Sequence, residues 1–142
     1  MSDITVQLRA LFADRLKENE PMAKYTNFRI GGAARWMVEA KKEDEMGQAV
    51  RIAREAGVPL FVMGGGSNTL VSDAGFDGLV VRVAMREYHI EPSTSSGNRL
   101  VIAGAGAISA ALARATVDAG LQGLEWAISL PGTIGGAVRG NA

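Results

Sequence analysis

The hydrophobic positions change period several times along the chain, and each change predicts an element. Ile4, Leu8, Leu11 and Phe12 recur at helical spacing over residues 4–16, with Ser2 or Asp3 available as the N-cap. Residues 17–24 are polar, contain Pro21 and read as a connector. From Ala34 to Ala40 the pattern alternates, with Ala34, Trp36 and Val38 on one face and Arg35, Met37 and Glu39 on the other; this predicts a half-buried strand. Helical spacing returns at Glu43, placing Met46, Ala49, Val50 and Ala53 on one stripe. Glu43, Asp44 and Glu45 occupy the first turn, where the helix dipole favours acids. Gly57 supplies a C′ residue and Pro59 prevents continuation. Leu60 to Met63 then reads as a short buried strand, which completes a βαβ unit with parallel strands.

The second half has a different rhythm. Leu79–Val83, Tyr88–Pro92 and Arg99–Ala103 read as three short strands. The Ser-rich stretch at 93–96 lies in a loop between the last two, which predicts an antiparallel hairpin. Ile108, Ala111, Leu112, Ala115 and Ala119 form a helical stripe ended by Gly120. The expected class is α+β: an N-terminal helix and connector over 1–24, a βαβ lobe over 25–75, and a β-rich lobe with one helix over 76–142.

Composition narrows the function more than the fold. With 142 residues, 47% hydrophobic and 21% charged, the chain has the balance of an ordinary globular domain. Fifteen basic residues offset fifteen acidic ones, so no electrostatic pull toward nucleic acid is expected. There is no cysteine, which excludes disulfides, zinc–thiolate sites and a thiol nucleophile. The N-terminus carries Asp3 and no apolar core follows, unlike a signal peptide. The uncharged run Leu100 to Ala113 is too short to span a bilayer. The expectation is a cytoplasmic protein without a membrane partner or a metal site.

Glycine is the anomaly, with 18 residues, ten of them at 31–32, 64–66, 104/106, 132 and 135–136. Clustered glycines mark backbone in unusual conformations, or backbone that something approaches closely. Gly64-Gly65-Gly66-Ser67-Asn68 stands directly after a predicted strand, where consecutive N–H groups can form an anion-binding nest for phosphate. Ser67 and Asn68 add donors without charge. Pro131-Gly132-Thr133-Ile134-Gly135-Gly136-Ala137 is a second segment of this kind, and two nests suit a diphosphate better than a single phosphate. Gly104 and Gly106 imitate a dinucleotide fingerprint, but Ser109 replaces the third glycine, and close packing of a strand against a helix accounts for them. His89, the one histidine, reads as a solvated strand residue. Trp36 reads as core, and Trp126 stands just before the second segment. No catalytic triad, Walker lysine or metal-binding histidine pair occurs, so no catalytic residue is assigned.

The segments YTNFRIGGAA (25–34), VMGGGSNTLV (62–71), AGAG (103–106), GLEWAISLPGTIGGAV (123–138) and the closing GNA, in this order, resemble the UDP-N-acetylenolpyruvoylglucosamine reductases. These are flavoenzymes of bacterial peptidoglycan precursor synthesis. The resemblance implies a two-lobed FAD-binding domain of the vanillyl-alcohol oxidase type. It implies that Gly64, Gly65, Gly66, Ser67 and Asn68, and Pro131, Gly132, Thr133, Gly135, Gly136 and Ala137, approach the flavin and its pyrophosphate. It further implies non-covalent FAD, NADPH as hydride donor, and a UDP-sugar enolpyruvate as substrate. The family's serine, arginine and glutamate of catalysis belong to a C-terminal substrate-binding domain, and no residue here matches them. Two other readings stay open: a flavin- or nucleotide-binding module without catalysis, and another flavoprotein oxidase or dehydrogenase of the same fold.

Overall fold

The computed structural model describes residues 3–92 and 97–142, and they form two compact units, Met1–Ala84 and Met85–Ala142. The Ser-rich stretch at 93–96 lies outside the described residues.

In the first unit, α1 (Ile4–Phe12) begins where Asp3 accepts the Thr5 N–H at 3.0 Å. Ile4, Leu8 and Phe12, four residues apart, are its buried face. A 3₁₀ turn, Ala13–Arg15, leads into β1 (Lys17–Pro21), and a second one, Met22–Tyr25, follows it. β2 (Ala33–Ala40), α2 (Glu43–Glu55), β3 (Leu60–Met63) and β4 (Phe76–Val83) complete the unit. The sheet order is β1-β2-β4-β3, with β1 antiparallel to β2 and β4 parallel to both of its neighbours.

Both faces of this sheet are covered. On one, Trp36, Val38, Ala40, Leu79 and Val81 pack under α1 and α2, through Leu8, Phe12, Ala49, Ile52 and Ala53. Trp36 is the core residue its alternation predicts, and its indole N–H donates to Thr5 Oγ1 at 3.0 Å. The other face gathers Met22, Ala34, Met37, Met63 and Val80. Ala34 therefore sides with Met37 and not with Trp36. The β2–β4 register shifts between Ala34 and Trp36, and such irregularities sharpen the local twist.

Four expectations change here. The polar connector at 17–24 is an edge strand followed by a turn: β1 draws its order from the ladder to β2, which periodicity within its own sequence cannot reveal. Leu60–Met63 is a strand but sits at the opposite edge, so Phe61 and Val62 are 38% and 44% exposed. The strand at 76–83 lies between β2 and β3, in the middle of the first sheet, and the unit boundary falls after Ala84 and not after residue 75. The buried stripe of α2 is Ala49, Ile52 and Ala53, with Met46 at its margin and Val50 outside it.

One side-chain pair closes this unit at the start of α2. Glu45 stands in the third position of the helix and accepts the Lys41 N–H at 2.7 Å, capping from inside as an N3 glutamate does. Arg15 grips the same carboxylate with two bonds, 2.7 and 2.9 Å, and donates to the Glu39 carbonyl at 2.9 Å. The Arg15 bonds outweigh the effect of burial and hold Glu45 down at about 2. Because the folded value lies below the unfolded one, this contribution is complete above pH 4.5 and disappears as pH falls toward 2. At ~1.4 kcal/mol per pKa unit, the drop from 4.5 to about 2 amounts to about 3–4 kcal/mol. The stability difference between the wild type and Glu45→Gln, measured by urea denaturation across pH, should therefore be largest near neutrality and vanish in acid. A difference that is flat with pH would contradict this account.

The second unit holds the antiparallel pair β5 (Tyr88–Ile90) and β6 (Val101–Ala103), as the hairpin pattern predicts, with Tyr88 opposite Ala103. α3 (Ser109–Asp118), a 3₁₀ turn at Glu125–Ser129 and α4 (Ile134–Gly140) follow. The buried face of α3 is Ser109, Leu112, Ala113 and Thr116, rotated from the predicted Ala111/Ala115 stripe. Alanines on both sides leave the apolar pattern ambiguous. Gly120, at φ +72°, closes the helix. With 76–83 in the first sheet and α4 formed from the second glycine segment, the described residues of this unit form two strands and two α-helices.

Candidate functional site

The glycine triplet leaves β3 at its carboxyl end, beside a parallel neighbour, the end of a parallel sheet where ligands collect. Gly64 and Ser67 are half-buried, Gly65 and Asn68 exposed, and Gly66 buried. The three glycines do different work. Gly66 has φ +72°, and a Cβ there would lie 1.9 Å from the Tyr25 carbonyl oxygen and 3.1 Å from Met63 Cε. Its own carbonyl accepts the Asn27 N–H at 3.1 Å. Gly66 is thus clamped from inside the unit, while Gly65 turns outward with no side chain to oppose a ligand. Exposed glycine, a half-buried serine and an exposed asparagine at a strand end fit a phosphate-bearing group.

The segment that clamps the loop is itself braced. The Tyr25 hydroxyl donates to Glu20 Oε1 at 2.8 Å and accepts from Lys17 Nζ at 2.7 Å. Arg82 lies over the Tyr25 ring at 5.5 Å and donates to Glu39 at 2.7 Å. Burial disfavours the Glu20 carboxylate, but the bonds from Tyr25 and Lys24 outweigh it and hold that group below its ordinary value. The bond to Tyr25 likewise raises Lys17. Farther along, Gly31 and Gly32 have packing reasons: a Cβ on Gly32 would stand 2.3 Å from the Asp73 carbonyl, and the Gly32 N–H donates to Ser72 at 2.9 Å. No local period shows that residues 25–27 set the shape of loop 64–68. The one available signal was the YTNFRIGG run itself.

In the second unit the residues around Gly104 and Gly106 are a backbone crossing. A Cβ on Gly104 would meet the Met85 carbonyl at 2.4 Å, and Gly106 donates to that oxygen at 2.8 Å. The close approach is real, but its partner is the 85–87 strand entry and not a helix. The second glycine segment docks on the same stretch. Gly132, at φ +105°, precedes Thr133, the buried N-cap of α4, whose Oγ1 accepts from Gly136 at 3.4 Å. Ile134 and Gly135 donate to Ala107 and Ala105 at 2.9 and 2.8 Å. The N–H groups of residues 134–136 are therefore occupied within the unit, and Gly135 is small because Ala105 lies 2.8 Å from where its Cβ would be. This corrects the expectation that the glycines here expose their donors. Pro131 and Gly136 are exposed, and Gly132, Gly135 and Ala137 half-buried.

Trp126 is 60% exposed with its N–H fixed to the Gly123 carbonyl at 3.1 Å. Backbone N–H groups of Glu125 and Gly123 hold the Glu125 carboxyl below its ordinary value. His89 is exposed and 3.1 Å from Glu91. Among the described residues no group of His, Asp or Glu is placed to hold a metal, and no helix is long and apolar enough to cross a membrane.

Residues 34–142 match the family model described as an FAD binding domain, and the chain belongs to that family of flavin-binding domains. Particular relatives narrow the comparison. The chain is 45% identical over 126 residues to the UDP-N-acetylenolpyruvoylglucosamine reductase of Rubrobacter xylanophilus, covering 89% of this chain and 41% of that protein. It is 42% identical over 134 residues to the enzyme of the same name from a Synechococcus species, covering 94% of this chain and 41% of that one. Among solved structures it is similar to UDP-N-acetylenolpyruvylglucosamine reductase from Thermus caldophilus, with TM-score 0.63, 29% identity and coverage of 86% and 41%. p-Cresol methylhydroxylase, at TM-score 0.57 and 17% identity over 83% of this chain and 24% of that one, shares the fold. The chain spans about two-fifths of the length of the curated relatives it matches.

Proposed function

We propose that these 142 residues are the FAD-binding part of an NADPH-dependent reductase that converts UDP-N-acetylglucosamine enolpyruvate to UDP-N-acetylmuramate for peptidoglycan synthesis in the cytoplasm. The glycine loop at the carboxyl end of β3 carries the reading, and the names of the relatives support the reaction. In this reading Gly64, Gly65, Gly66, Ser67 and Asn68 hold the FAD diphosphate, mainly through backbone N–H groups. Pro131, Gly132, Thr133, Gly135, Gly136 and Ala137 present a close, side-chain-poor surface to the cofactor. FAD is held without a covalent bond, since the chain has no cysteine and His89 belongs to the hairpin. Bound FAD supplies hydride transfer between NADPH and the enolpyruvyl group. This chain's residues bind and orient; the proton donor and sugar-nucleotide site belong to a substrate-binding domain outside it.

Titrating the protein with FAD and following flavin fluorescence tests the site. Gly65→Val should weaken FAD binding at least about 10-fold by filling the approach, with the denaturation midpoint unchanged because Gly65 is exposed. Normal flavin content in that variant would overturn the assignment.

A further inference from the structure

Loop 64–68 has donors but no charge, whereas a diphosphate is doubly negative, so a cation is missing from the site as built from that loop alone. Several basic residues of the first unit are already engaged by carboxylates. Arg82, paired across the ladder with Met63, is tied to Glu39, and Lys17 and Lys24 to Glu20. Arg35 is tied to Asp77. Arg29 is exposed and has no carboxylate partner among the described residues.

Its position in the backbone is closely specified. Two residues before it, Asn27 donates to the Gly66 carbonyl at 3.1 Å. Two residues after it, Gly31 lies against Val71, whose Cβ would be 2.7 Å from a Cβ on that glycine. The turn is therefore bracketed by contacts to residues 66 and 71, the two ends of the stretch that contains Ser67 and Asn68. Within the turn, Arg29 donates to the Thr26 carbonyl at 3.1 Å and Thr26 Oγ1 to the Ile30 carbonyl at 3.3 Å. Arg29 itself sits at φ +55°, a left-handed conformation that side-chain-bearing residues seldom adopt and that clusters at ligand-binding positions.

We propose that Arg29 is a ligand-binding residue that supplies the positive charge for the diphosphate held on loop 64–68. The proposal rests on the FAD reading above. A guanidinium presents a planar fork that pairs phosphate oxygens, and its permanent charge completes a set of otherwise neutral donors.

The test is FAD titration of the wild type, Arg29→Asn and Arg29→Lys at low and high salt. Asparagine tolerates the left-handed region, so the turn is kept while the charge is removed. Arg29→Asn should bind FAD about 10- to 100-fold more weakly, with a shallower salt dependence, while Arg29→Lys, which keeps the charge but not the fork, should keep the wild-type salt dependence and lose clearly less affinity. Asparagine binding within twofold of the wild type, or equal losses in both variants with unchanged salt dependence, would overturn the role of Arg29. A wild type that does not bind FAD would sink the underlying reading as well, and the two failures are thereby distinct.

Discussion

Gly66→Ala is expected to cost the protein both its cofactor loop and a large part of its stability. The added methyl would stand 1.9 Å from the Tyr25 carbonyl oxygen, a backbone atom, and φ there is +72°. Two costs combine: strain of about 1 kcal/mol for alanine in the left-handed region, and a collision that no side-chain rotation relieves. Relief requires residues 25–27 to separate from the loop, which breaks the Asn27–Gly66 hydrogen bond and disturbs the seat of Met63. The net destabilisation should be about 3 kcal/mol or more, with FAD affinity lowered at the same time. Urea denaturation and FAD titration read the two effects separately. The contrast with Gly65→Val, which should lose flavin but not stability, distinguishes a glycine required by the fold from one required by the ligand. If Gly66→Ala leaves both quantities unchanged, the clamp from Tyr25 has no energetic importance.

Phe12→Ala should produce the second large loss. Phe12 is fully buried among Leu8, Trp36 and the α2 alanines, and Arg15 lies over its ring at 5.4 Å. Truncating a buried phenylalanine typically costs about 3–5 kcal/mol through lost transfer energy and the cavity left behind. Domains of this kind have about 5–15 kcal/mol in total, so the variant should be close to unfolding at physiological temperature. The shift in the urea midpoint measures this. A loss below about 1 kcal/mol would mean that α1 is an appendage to the sheet and not one wall of its core.

That second prediction rests on something the linear pattern did not contain. The apolar stripe identified α1 as amphipathic and narrowed its cap to Ser2 or Asp3, because both depend on neighbours within four residues; the structure shows Asp3. The strand at 34–40, the stop at Gly57 and the antiparallel pairing of the hairpin were legible too, although the alternation put Ala34 on the wrong face. Glycine clusters were also correctly marked as places of unusual or crowded backbone. What crowds them was not legible. Tyr25 against Gly66, Asp73 against Gly32 and Met85 against Gly104 are partners between 19 and 41 residues away, and no local period reports them.

The same limit explains the strands. Lys17–Pro21 has no apolar alternation and is ordered by its ladder to β2, and Phe76–Val83 enters the first sheet because two parallel partners flank it. For the site, the sequence by itself determined which residues lack side chains, where uncharged donors follow a strand, and that no cysteine is present. Only the tertiary structure decided which of those donors remain outward. It turned the N–H groups of Ile134 and Gly135 onto Ala107 and Ala105, and it bracketed Arg29 beside the 66–71 stretch. A backbone donor's availability is set by whichever distant carbonyl reaches it first, and that is a property of packing.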